Sequence, residues 1–436
     1  MRARAASWLL GLALPFAVAG CPALLTDDFR IVQDAGIETS NSDDGWIDQT
    51  TLSQDGATDV ASDARGVLDS PIADNSNEAS LDAASDVATN SDATIEAGCD
   101  ASVCGGSCIN LGTDDSNCGA CGYACVHGRH CVAGRCTPVW LPISTVNAPT
   151  PRETPGAALG GQLILAGGDV GCSGSLASAA AYDPNGDTWS SLPNLNIARS
   201  QHVVVSSGTY VYTFGGLTDC ANGGTQIGSL EEWKPGDANW TLIGAASAPA
   251  ARFAFDAAWT GSGLFVFAGA SGTGPTSSGA IYNPSQNAWS DASCALGGCL
   301  RNGAPSLTIV DHGFIRLWGG GSPGTGLQYE ITSGVWSTWT PPPNFPTNAY
   351  VGGGEQTAPA DDGRRIYFPT GGGSGNLNML IYDRATQTQS SDTATSPVNM
   401  SAAGAIAWTG AEVVLWSGTN DAGVTSAGGR YQPPAP

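Results

Sequence analysis

The feature that most constrains this chain is a phrase that returns throughout residues 140–436. An arginine precedes an apolar run; a second apolar run ends in paired glycines; then a Tyr or Trp stands seven residues ahead of a Trp. The clearest copies are Leu163–Gly168 leading to Tyr182 and Trp189, and Tyr210–Gly216 leading to Trp233 and Trp240. Leu264–Gly269 leads likewise to Tyr282 and Trp289, and Phe314–Gly320 to Tyr329 and Trp336. The repeat tryptophans Trp140, Trp189, Trp240, Trp289 and Trp336 are 49, 51, 49 and 47 residues apart. A period near 50 residues belongs to a propeller rather than to a string of separate domains. Two fainter copies, Ile366–Gly372 with Tyr382 and Gln389, then Val413–Gly418 with Tyr431, bring the count to six.

The two ends of this region complement each other. Tyr431 is followed only by Gln432 to Pro436 and has no Trp seven residues on, whereas Trp140 has no Tyr before it. The expectation is an all-β, six-bladed propeller over residues 138–436, with the strand around Trp140 completing the last blade. Such closure removes the free strand edges of an open array. Runs such as Val203–Val205 and Phe265–Phe267 carry the β-branched and aromatic side chains that fit a pleated sheet. The glycine pairs suit strand ends where backbones crowd and φ turns positive. The repeated Tyr and Trp are expected to pack between blades.

The glycine-ended run and the Tyr–Trp spacing, with a turn such as Asp183–Asp187 between them, resemble the kelch family of β-propellers. The resemblance covers nearly all of residues 140–436. Departures are Gly269–Ala270 and Ser417–Gly418 at the glycine pair, Trp233 for the Tyr, and Gln389 for the fifth Trp.

The start of the chain is different material. Met1–Arg4 followed by the apolar Trp8–Gly20 has the layout of an export signal, too short for a stable membrane span. Its end, Val18–Cys21, resembles the lipobox of bacterial lipoproteins; by that resemblance residues 1–20 are removed and Cys21 is acylated. Pro22, in place of an inner-membrane retention Asp, implies an outer-membrane or cell-surface location. Between residues 22 and 98, seventeen acidic side chains face Arg30 and Arg65, most of the net charge of −23. A segment this charged and this poor in aromatics does not bury enough surface to fold. Residues 21–98 thus read as a lipidated Cys and a disordered acidic linker, reaching about 50 Å as a flexible coil. The acidic balance argues against nucleic acid and against docking on anionic lipid other than through the anchor.

Residues 99–137 hold eight cysteines: Cys99, Cys104, Cys108, Cys118, Cys121, Cys125, Cys131 and Cys136. This density in an exported chain implies disulfides that staple a module too small for its own core. Their connectivity is not readable. The run from Cys104 to Gly122 resembles the stigma-specific Stig1-like modules. A zinc site at Cys118 and Cys121 with His127 and His130, or a thioredoxin-like pair, is the less favoured reading, and no metal or cofactor is called for. Four cysteines remain. Cys172 and Cys220 each lie four residues beyond a glycine pair and are expected to bridge adjacent blades; Cys294 and Cys299 share one loop and are expected to bridge each other.

For function, the best signal is a second periodicity. Arg152, Arg199, Arg252 and Arg301 follow the tryptophans by about ten residues, and Asn348 and Asn399 take that place in the last two copies. In kelch relatives this position opens the innermost strand at the mouth of the channel, and some use the arginines to hold peptide carboxylates. Guanidiniums suit carboxylates through their bidentate fork. The resemblance therefore implies a monomeric binding module for an acidic carbohydrate or protein ligand; the bland alternative is that each Arg bonds loop carbonyls and holds blades together. A copper radical oxidase lacks ligands here, since the propeller offers only His202, expected on the inner strand, and His312, expected at an exposed turn. Sialidase-type turns share only Asp187–Trp189. An enzyme acting on acidic sugars, similar to sialic-acid mutarotases, is the second reading, with Arg252 and Arg301 as anchors and Glu355 as base.

Overall fold

The structure, a computed structural model, describes residues 102–436 apart from 172, 220–223, 297–298, 300–305, 320–325, 343–344, 346–358, 371–376, 399–401 and 421–422. Cys21, the acidic linker, Cys99, Cys172, Cys220, Arg301, Asn348, Glu355 and Asn399 lie outside the described residues. Within them every regular element is a strand.

Six antiparallel sheets follow one another along the chain. The first comprises Gly156–Leu159, Gln162–Ala166, Ala179–Asp183 and Thr188–Leu192. The second to fifth repeat this four-stranded meander, beginning at Val203, Asp256, Ser306 and Ala360. The sixth takes three main strands from the end of the chain, Ala402–Trp408, Val413–Asn420 and Gly428–Tyr431. Its outer strand is Trp140–Pro142, with Tyr431 directly opposite Trp140. The missing Tyr–Trp pair is thus completed from the two ends of the region, and the ring is closed.

The seven-residue spacing is a register. Tyr182 faces Trp189, Tyr282 faces Trp289, and Tyr329 faces Trp336 across neighbouring strands. Because side chains alternate along a strand, each sheet buries both faces. Leu163 and Leu165 pack towards Val414 and Trp416 of the sixth blade, while Ile164 and Ala166 pack towards Val204, Val211 and Trp240 of the second. Six such clusters occupy the six clefts between neighbouring blades. The indoles also donate across clefts: Trp189 to Ser144 O at 2.9 Å, Trp240 to Pro193 O at 2.9 Å and Trp336 to Ala292 O at 3.0 Å. Each acceptor lies in the connection leading away from the preceding blade.

One assignment needs correction. In the third blade the positive-φ pair is Ala268–Gly269, matching Gly167–Gly168 and Gly215–Gly216, not Gly269–Ala270. The first position is tight where it is glycine, since a Cβ on Gly215 would lie 2.7 Å from Arg252 O.

The disulfide module precedes the ring and forms one compact unit with it. Its bridges are Cys104–Cys121, Cys118–Cys131 and Cys125–Cys136; Cys108 is also disulfide-bonded, and Cys294 bridges Cys299 in the third blade. The module grips the seam of the ring. Arg129, 2% exposed, donates to Pro138 O, Arg430 O and Glu412 at 3.0, 3.0 and 2.9 Å. Gln432 bonds Ala124 O and the Val126 amide, and Tyr123 donates to Pro433 O. Arg135 pairs with Asp392.

Candidate binding site

Arg152, Arg199 and Arg252 lie four residues ahead of the first strands of the first three blades, and their guanidiniums are committed to the interior. The residues are 2%, 0% and 1% exposed. Each Nε donates to a carbonyl two residues back, Thr150, Ile197 or Ala250. Each Nη1 donates to the first residue of the glycine-pair motif, Gly167, Gly215 or Ala268, at 2.9 to 3.0 Å. It also reaches the carbonyl ahead of the third strand, Ser178, Ser229 or Ser278. The positive-φ pair interrupts the regular ladder between two strands, and the donor-rich fork of Arg bonds the carbonyls at that junction, of which Ser178 O and Ser278 O also accept the amides of Gly167 and Ala268. The backbone ties the neighbouring blade into the same node, Gly168 N donating to Arg199 O and Gly216 N to Arg252 O, both at 2.8 Å. Arg199 also forms a fully buried ion pair with Glu231. Burial pulls the Arg152 and Arg252 guanidiniums down to about 10. These three arginines therefore act as brackets, which is the bland alternative of the sequence reading.

Two other groups lie near these nodes. His202 is fully buried with Nε2 2.8 Å from Ala166 O, and burial reinforced by the Arg199 charge pulls its imidazole down to about 3. It is neutral and structural. Glu153 pairs through its backbone with Asp169 at 2.8 and 3.0 Å; burial, then the Asp169 charge, pushes its carboxyl up to about 7.

A cavity of roughly 200 Å³ opens between the fourth and fifth blades. Its apolar wall is Ile309, Trp339, Phe345, Ile366 and Tyr382, all buried. Phe345 stands edge-on to both Trp339 at 5.2 Å and Tyr382 at 5.0 Å. The polar side carries Asp311, His312, Arg316, Arg384 and Gln387. Asp311 pairs with Arg316 and with the 79% exposed side chain of His312, and Arg384 grips both oxygens of Asp361 at 2.6 and 2.5 Å. Arg316 lies 5.4 Å from the Trp339 ring centroid, a cation–π geometry.

Sequence reasoning passed over this cavity, yet it left traces. Arg316 is a cation inside the apolar run Phe314–Trp318, and Arg384 takes the turn position that Pro184 and Pro284 hold in other copies. The seam cluster of Arg129, Glu412 and Arg430 was also missed, because its members are separated by most of the chain. The reading of Cys118 and Cys121 as metal ligands or a redox pair is overturned. The Cys118, Cys125 and Cys136 sulfurs do converge, but Cys118 bonds Cys131, Cys121 bonds Cys104 and Cys125 bonds Cys136, so no thiolate is left among them.

Comparison with known families agrees with the two folded parts. Residues 70–140 match the stigma-specific STIG1-like protein family, and residues 153–196 match the Kelch motif. No curated protein matches the chain.

Proposed function

We propose that this chain is a binding module held at a bacterial cell envelope, engaging an acidic carbohydrate or an acidic protein ligand. The observation that carries the reading is the Kelch motif set in a closed, six-bladed ring, a platform of the kind used for protein interaction. The Val18–Cys21 lipobox and the acidic stretch that follows supply an anchor and a spacer. Disulfides in both the module and the ring fit an oxidising compartment. The module is read as a monomer. The outer membrane or cell surface is the proposed location.

The test is calorimetric titration of the oxidised full-length chain with uronate oligosaccharides and with acidic envelope proteins. Saturable binding that weakens with salt, with ligand recovered unchanged, is expected; no binding from either class sinks the reading. Anchoring is checked with Cys21→Ser, which should move the chain from the membrane to the soluble fraction.

One observation favours the second reading, an enzyme acting on acidic sugars. A carboxyl pushed up to about 7 beside another carboxylate, as at Glu153 and Asp169, suits proton transfer at neutral pH. Conversion of the sugar that disappears in Glu153→Gln would establish it.

A further inference from the structure

Arg152, Arg199 and Arg252, three of the arginines expected to meet an acidic ligand, are buried brackets, so such a ligand needs another cationic place. The geometry points to the cavity between the fourth and fifth blades as a site for a small carboxylate carried on an apolar or aromatic body. The assignment deepens the binding-module reading and rests on it.

The donors and acceptors lining the cavity do not balance. Asp311 is engaged by Arg316 and His312, and both oxygens of Asp361 are taken by the two terminal nitrogens of Arg384. The Nε–H of Arg384 is buried and has no hydrogen-bond partner. Asp311 Oδ1 lies 3.6 Å from it, close enough for an ion pair but beyond hydrogen-bond reach. A buried cationic N–H without an acceptor is costly, and in native proteins it marks a missing partner. Arg316 and Arg384 also repel each other: burial and the Arg384 charge both hold the Arg316 guanidinium below its usual range. An anion placed among these side chains answers both conditions, whereas a cation would answer neither.

The rest of the cavity sets the body of the ligand. Trp339, Phe345 and Tyr382 form an aromatic wall, closed by Ile309 and Ile366. About 200 Å³ holds one ring or one branched side chain with its carboxylate, not an oligosaccharide. Two sources share this chemistry: a free aromatic acid, and the terminal carboxylate of a peptide whose last residue is apolar. Recognition in either case is a polar anchor at Arg384 and Arg316 over an apolar floor.

The experiment uses the oxidised full-length chain and follows ligand signals by saturation-transfer NMR and calorimetry. The probes are 3-phenylpropionate, its amide, and a hexapeptide ending in Phe with a free or an amidated terminus. Saturable binding of a carboxylate form, about tenfold tighter than its amide, is expected, and the better of the acid and the peptide identifies the source. Arg384→Met removes the guanidinium with its Nε–H and should abolish binding. Because it also breaks the Asp361 pair and could unfold the blade, His312→Glu serves as the second variant. That side chain is exposed, so the fold should hold, while an added negative charge at the rim should weaken carboxylate binding about tenfold. Equal affinity for acid and amide, or unchanged affinity in both folded variants, overturns the assignment. If the carboxylate probes bind no tighter than their amides while uronates or envelope proteins still bind the wild-type chain, the cavity assignment fails and the binding-module reading stands.

Discussion

Arg199 and Glu153 meet burial in different ways, the first through an ion pair and the second by holding a proton. Arg199 has Glu231 at 2.5 Å with neither side chain exposed. Deleting one member of such a pair strands the other charge, so Arg199→Ala should cost about 3–5 kcal/mol in chemical denaturation. Arg252 bonds only carbonyls and hydroxyls, and its deletion should cost less, near 2–3 kcal/mol. Glu153 behaves differently. Its carboxyl rises from 4.5 to about 7 on folding, so the folded state holds the proton more tightly than the unfolded chain. Its effect is absent below pH 4.5 and becomes a growing penalty as pH rises towards 7. The full penalty above that is on the order of 3 kcal/mol. Glu153→Gln should therefore gain stability relative to wild type across that window and flatten the pH dependence of Tm between its ends.

Strands and their pairings were the most legible part of the sequence, because a directly opposed pair joined by a short turn prints itself as a fixed spacing. Tyr182 with Trp189 and Tyr329 with Trp336 are such pairs, and the odd Trp140 announced the closing strand. Ala268 was misplaced because a positive-φ node was sought through glycine alone, and here an alanine adopts φ 61. The direction of the arginines was not legible either: the position ahead of the first strand is periodic, but only the carbonyls at the strand junction decide that the side chain turns inward. The cavity escaped because its walls come from two blades and no spacing links Arg316 to Arg384. At this scale the closing strand yields a prediction. Trp140 is 5% exposed and stacks 5.0 Å from Tyr431, so Trp140→Ala should cost about 3–5 kcal/mol. In hydrogen exchange, the amides of Trp140, Leu141 and Gly428–Tyr431 should lose protection ahead of the other blades.

For the whole molecule, the decisive contact is between the disulfide module and the seam. Arg129 reaches the sixth blade at Glu412 and Arg430, so the module and the last blade share one buried charge cluster, with His127 Nδ1 3.2 Å from the same carboxylate. Arg129→Ala leaves Glu412 buried without its closest partner and should destabilise the docked state by about 3–5 kcal/mol. Adding Glu412→Gln should recover part of that loss in a double-mutant cycle. Proteolysis should then separate the module from an otherwise folded ring.

The position of the seam also has a mechanical meaning. The chain enters the ring at Trp140–Pro142, the strand that zips the circle shut, and a pull arriving from the N-terminal side would bear on that zipper first. Residues 102–137 lie between such a load and the zipper. Arg129 clamps Glu412 and Arg430 O, while Tyr123 and Gln432 pin the tail beyond Tyr431. Tension would have to shear these clamps in parallel before peeling the strand, as a strain-relief collar takes the tug on a cable before its solder joint feels it.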